Sequence, residues 1–132
     1  MDFDEFRGRV ESVDKLAASG DDRALLAALA GLADSDLPDL DRARLLIQAA
    51  QAHERLRETE LALAAYDRAA ALETPHRRFQ AAFRKSDYLM RLGRKDECRE
   101  ILLALKDRPE ATLSERHSFE ARIKLLRRVK AP

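Results

Sequence analysis

The sequence predicts an all-α chain of about seven helices arranged as consecutive hairpins. Two observations carry this. Apolar residues recur at i, i+3, i+4 and i+7 along nearly the whole chain, and no segment alternates apolar and polar residues with the β-branched enrichment of a strand. The positions that should pack also return at one register, 36 or 37 residues apart, through three successive helix pairs.

The first helix is expected over 3–18, with Phe3, Phe6, Val10, Val13 and Leu16–Ala17 on one stripe, and Ser19-Gly20 stops it because glycine accepts the left-handed conformation. Asp21 or Asp22 caps the second, over 22–34, whose apolar residues are Leu25, Leu26, Leu29 and Leu32. "DSDLPDLD" (34–41) is the longest break. The third helix is expected over 39–57 and the fourth over 59–73 with Thr59 as its N-cap. Thr74-Pro75 then caps and opens a fifth over 75–92, since proline suits a first helical turn. Gly93 ends it. A sixth is expected over 95–106, and Thr112 with Glu115 has capping-box spacing for a seventh over 113–129.

Short connections between helices imply antiparallel neighbours. Aligning the even-numbered helices gives Leu25, Leu29 and Leu32, then Ala62, Tyr66 and Ala69, then Cys98, Leu102 and Leu105. The odd helices keep the same register at Val13 and Leu16, Ala50 and His53, and Ser86 and Leu89. A turn position follows each pair: Gly20, Arg57, Gly93. The seventh helix continues the series, with Phe119, Ile123 and Leu126 standing 37 residues after Ala82, Ser86 and Leu89. Small residues in these columns let helices approach closely, and a large one such as Tyr66 fills the gap between hairpins.

The pattern resembles the tetratricopeptide repeat (TPR) family. It does so best over 43–75, which carries Ala50, His53, Ala62, Tyr66, Ala69 and a closing Pro75, and again through Ser86, Leu89, Gly93, Cys98, Leu102, Leu105 and Pro109. The period exceeds the family's, the tryptophan-like position is Arg9, Leu46 or Ala82, and the first unit has Val13, Leu25 and Leu32 where small residues belong. The resemblance implies a single TPR-like domain over 1–132, with units 3–35, 39–74 and 75–108 and a cap helix over 113–129. It also implies a right-handed superhelix, an α-solenoid whose concave face is lined by the first helix of each pair.

On that pattern the first unit lines the groove with Arg7, Glu11 and Asp14. Helix three contributes Arg44, Gln48, Gln51 and Arg55, and helix five Gln80, Arg84, Asp87 and Arg91. Such side chains can hydrogen-bond a peptide backbone or grip a carboxylate. Some TPR proteins hold a C-terminal carboxylate through a lysine and an asparagine of the first unit. Here those positions are Val10 and Asp14, which argues against that mode, although Arg84 matches one basic position of it.

Nothing in the sequence carries an enzyme signature. His53, His76 and His117 lack metal-ligand spacing, and the four glycines are isolated, so no phosphate loop forms. Cys98 falls on a packing column and reads as a buried thiol, His53 as a packing ring, and the acid pairs Asp21-Asp22 and Asp39/Asp41 as helix caps. No metal or cofactor is expected. No apolar run approaches the roughly 18 residues of a membrane span, and the acidic N-terminus is unlike a signal peptide, so a cytoplasmic protein is expected.

The net charge of +1 is unevenly placed: residues 1–75 carry −7 and residues 76–132 carry +8. The seventh helix and its end are basic, with Arg116, Lys124, Arg127, Arg128 and Lys130, yet the chain lacks stacking aromatics for single strands, which disfavours nucleic acid. The sequence therefore leads to a non-catalytic protein–protein interaction module that binds a peptide or protein segment in its groove. The alternatives are a scaffold assembling through acidic and basic ends as a homo-oligomer, and a chaperone or adaptor wrapping a partner helix.

Overall fold

In a computed structural model, which describes residues 2–128, all regular structure is helical among the described residues. The helices are α1 (Phe3–Ser19), α2 (Asp22–Ala33), α3 (Asp39–Arg55), α4 (Thr59–Glu73), α5 (Gln80–Arg91), α6 (Lys95–Lys106) and α7 (Leu113–Arg128), with a 3-10 turn at Thr74–His76. Lys130 and the side chain of Arg128 lie outside what is described. The chain divides into two compact units, the first ending at Ala81 and the second starting at Ala82, so the boundary falls in the first turn of α5.

Local chemistry sets the ends of these helices. Asp2 caps α1 through Glu5 N–H, and Asp21 caps α2 through Ala24 N–H at 3.1 Å. Gly20, Arg57 and Gly93 all take the left-handed conformation, with φ of 78°, 59° and 79°. After α3, Arg57 N–H reaches Glu54 C=O and Glu58 N–H reaches His53 C=O. After α5, Gly93 and Arg94 repeat the pattern on Met90 and Leu89. These bonds satisfy the carbonyls that a helix end leaves open. Thr112 and Glu115 form the reciprocal capping box of α7, at 3.1 and 3.2 Å.

Several ends differ from the sequence-based expectation. The N-cap of α4 is Glu58, and Thr59 is already helical. The fifth helix does not begin at Pro75. Thr74 closes α4, its hydroxyl donating to Ala70 C=O, and the chain then reverses through Arg77 at φ 55° before α5 starts at Gln80. The start of α5 is held by a carboxylate from the previous helix: Glu73, 5% exposed, accepts Ala81 N–H at 2.7 Å. Asp39 and Asp41 do not cap α3, whose N-cap position is Pro38. Both stand in its first turn, where negative charge suits the helix dipole.

In the first unit, α1 packs on α2, α2 on α3 and α3 on α4. Two-residue and three-residue links make α1/α2 and α3/α4 hairpins. Ion pairs fix the relative direction of the second helices. Arg23 meets Glu58 near the starts of α2 and α4, and Asp34 meets Arg68 farther along both, so α2 and α4 run parallel. Arg55 at the end of α3 meets Asp22 at the start of α2, so those two run antiparallel. In the second unit, the Phe83 and Phe119 rings lie 5.9 Å apart and Asp87 pairs with Arg122, so α5 and α7 run parallel as well.

The packing columns are inside. All nine residues of the three even-helix sets are buried: Leu25, Leu29 and Leu32; Ala62, Tyr66 and Ala69; Cys98, Leu102 and Leu105. Val13, Ala50, Ser86, Leu89, Phe119, Ile123 and Leu126 join them. In the first unit Val13, Leu25, Leu29, Leu32, Leu45 and Ala52 form one cluster, with Phe6 and Leu16 packed against it. Leu16 and His53 are only half-buried, and Ala17 is exposed. Phe3 is not a core residue; it is exposed, with Arg7 stacked 4.8 Å over its ring. α1 therefore offers a longer apolar stripe than its neighbours cover, and Phe6 and Val10 stay half-buried.

Candidate functional site

The uncovered part of that stripe is the floor of a cleft. Between α1 and α3, Phe6, Val10, Val13, Asp14, Asp41, Arg44, Leu45 and Gln48 enclose a cavity of about 330 Å³. The floor is apolar because Val13 and Leu45 are core residues and Phe6 leans on the same cluster. The rim is charged because Asp14 and Asp41 sit one helical turn from the floor residues Val10 and Leu45 and, like Arg44, stay exposed. A second cavity of about 310 Å³ lies on the other side of Arg44, lined by Leu40, Arg44, Ile47, Glu73, Arg78 and Gln80. Arg44 thus borders both.

The eight groove residues expected on helices three and five have different surroundings. Arg44 and Gln48 meet at the first cavity, and Arg44 and Gln80 at the second. Gln51 is half-buried on α3. Arg55 is engaged by the fold: its guanidinium donates to the Asp22 carboxylate at 2.8 and 2.9 Å, which raises its pKa further above an already high value. In the second unit Asp87 is held by Arg122, whose guanidinium also lies 4.4 Å over the Phe83 ring. Arg91 is exposed and stacks on Tyr88 of its own helix at 5.4 Å, and Arg84 is half-buried. Of the first-unit trio, Asp14 lines the cleft, Arg7 stacks on Phe3, and Glu11 is exposed.

Two residues of these cavities carry no signal in a helix-face reading. Asp41 looks like a cap and is a rim carboxylate, and Arg78 follows a turn whose left-handed residue, Arg77, the sequence does not announce. Among the described residues, Asp14, Asp41, Arg44 and Gln48 have no side-chain hydrogen bond or ion pair within the chain. They contrast with their neighbours: Asp22, Asp34, Asp39, Arg55 and Arg68 are all paired across helices.

The remaining chemistry-bearing residues sit in structural roles. His53 Nδ1 lies 2.9 Å from Glu58 Oε1, and Arg23 takes the other carboxylate oxygen at 3.1 Å. Together these hold the Glu58 carboxyl below its ordinary pKa, His53 having the larger effect. His76 Nε2 lies 3.1 Å from Asp39, and His117 is exposed. Cys98 is buried, and that burial, with Asp87 nearby, raises its thiol pKa, so the nucleophilic thiolate is disfavoured. No group of three or more His, Cys, Asp or Glu side chains that could hold a metal is found among the described residues, and none of their helices is long and apolar enough to cross a membrane. Comparison with protein-family models, with curated proteins and with solved structures finds no match to this chain.

Proposed function

We propose that this chain is a non-catalytic protein-interaction module and that the cleft between α1 and α3 receives a segment of the partner. The observation that carries the reading is the combination at that cleft. A half-buried apolar floor of Phe6 and Val10 lies beside four polar side chains that have no partner among the described residues. Apolar clefts with a few converging polar groups are the usual form of a binding site. Arg44 and Gln48, one turn apart, can donate to backbone carbonyls of an extended or helical segment.

The TPR-like reading supports the same conclusion. Parallel α2/α4 and parallel α5/α7, with cross-helix partners 34 to 36 residues apart, are what stacked helical hairpins of this period would give. In a right-handed superhelix of such hairpins, α1 and α3 would line the concave face. The test is affinity capture of a binding partner with wild-type protein and with Arg44→Glu combined with Gln48→Ala. Loss of capture at unchanged helicity and thermal midpoint is expected. Undiminished capture places the binding surface elsewhere.

A second reading rests on the split of charge, −7 before residue 76 and +8 from there on. Oppositely charged ends of successive copies would attract each other in a salt-dependent way. Light scattering at low salt across a concentration series tests it: growth in mass that salt reverses is expected, and one monomeric mass throughout contradicts it.

A further inference from the structure

Resting on the cleft reading above, we infer that the segment bound between α1 and α3 is cationic: a bulky apolar side chain flanked by lysine or arginine. The apolar part follows from the floor. Val13 and Leu45 are closed off by the core, whereas Phe6 and Val10 remain half-buried, so a side chain entering the cleft would finish covering them. Removing that area from water is the driving force available to any ligand here.

The charge follows from the rim. Asp14 from α1 and Asp41 from α3 face the same cavity with no cation among the described residues paired to either. Arg44 is the one cation among the described lining residues, and it leaves one carboxylate in excess even if it were to swing to either. Three acids around the α2/α4 packing are neutralised: Asp22 by Arg55, Asp34 by Arg68, and Glu58 by Arg23. Asp4, Glu11 and Asp36 also lack an ion pair among the described residues, but Asp14 and Asp41 are the two that line one cavity beside an apolar floor. The wider field has the same sign, since residues 1–75 carry −7. A cationic segment would be drawn toward this unit before contact and held at the rim by charge-assisted hydrogen bonds after it. An acidic segment would meet Asp14 and Asp41 directly.

The test uses the full chain and three short synthetic peptides, acetylated and amidated, that share a central Leu-Leu. They are flanked by lysine and arginine, by glutamate, or by serine and glycine, and binding is read by fluorescence anisotropy. The cationic peptide is expected to bind best, with affinity that falls as salt rises. Asp14→Asn with Asp41→Asn is expected to weaken it about tenfold, as loss of charge-assisted hydrogen bonds implies. Both positions are exposed on helix surfaces, and circular dichroism would verify that the double variant keeps its fold. Equal binding of all three peptides, or preference for the glutamate one, overturns the inference and leaves the cleft a peptide site. Cationic binding that the asparagine pair does not change overturns it also. Failure of every peptide to bind overturns both the inference and the cleft reading beneath it.

Discussion

The Tyr66 hydroxyl on α4 donates a hydrogen bond to the Glu54 carboxylate on α3, so the one large ring in an alanine-rich helix is anchored at its polar tip as well as packed around its body. Ala62 and Ala69 beside it are fully buried, as is Ala50 on α3, which is what lets α3 and α4 approach closely. Tyr66→Phe keeps the ring and removes the donor, and should cost about 1 kcal/mol of unfolding free energy. Tyr66→Ala should cost about 3–5 kcal/mol, because a cavity is left among side chains too small to collapse into it. Urea unfolding followed by far-UV circular dichroism measures both, and near-equal losses would contradict the packing role.

The same interface predicts intolerance of added volume. Ala69→Leu inserts methylenes where exposure is nil, and should destabilise by about 1–3 kcal/mol despite the gain in hydrophobicity. An unchanged midpoint in urea would mean that α4 has room to shift.

The three left-handed turn positions are not equivalent. Gly20→Ala places a Cβ at φ 78° and should cost about 1 kcal/mol through conformational strain alone, since no other atom lies near the added carbon. Arg57 already bears that strain at φ 59°, so Arg57→Gly should raise stability by up to about 1 kcal/mol. Opposite signs in thermal unfolding are the expected result.

Acid sensitivity should be concentrated at named carboxylates. Glu115 is held below its ordinary pKa by the Thr112 backbone and hydroxyl, with a smaller contribution from Arg108 at 2.8 Å. Glu58 is held down by His53 and Arg23. A folded-state pKa below the unfolded one gives stability that is complete above the ordinary carboxylate range and is lost as pH falls through the depressed value. Glu115→Gln preserves the reciprocal cap but not the charge, so the loss of stability on acidification should be smaller in the variant than in the wild type. Thr112→Ala removes the cap and should cost about 1 kcal/mol at neutral pH. Thermal midpoints across an acid series measure both.

What the sequence made legible was whatever depends on neighbours in sequence. The columns Leu25/Ala62/Cys98 and Leu29/Tyr66/Leu102 are buried as a fixed period requires, and Gly20, Arg57 and Gly93 turn where that period places them. The start of α5 was not legible. Thr74-Pro75 satisfies every local rule for a helix start, but the group that holds α5 is the Glu73 carboxylate, eight residues before the amide it accepts. The site was only partly legible for the same reason. A helix face lists Arg44, Gln48, Gln51 and Arg55 alike, and only tertiary pairing separates Arg55, bound to Asp22 thirty-three residues away, from Arg44, which borders two cavities. Asp41 has the local look of a cap, and its place on the cleft rim depends on where α1 lies.

The central claim is that the α1/α3 cleft is where a partner binds. Backbone amide chemical-shift mapping of the labelled full chain, titrated with the Leu-Leu peptide flanked by lysine and arginine, tests it most directly. Saturable shifts concentrated at Phe6, Val10, Asp14, Asp41, Arg44 and Gln48 are expected. Shifts that cluster instead around Arg84 and Arg91, or that leave Val10 and Gln48 unmoved at saturation, would contradict it.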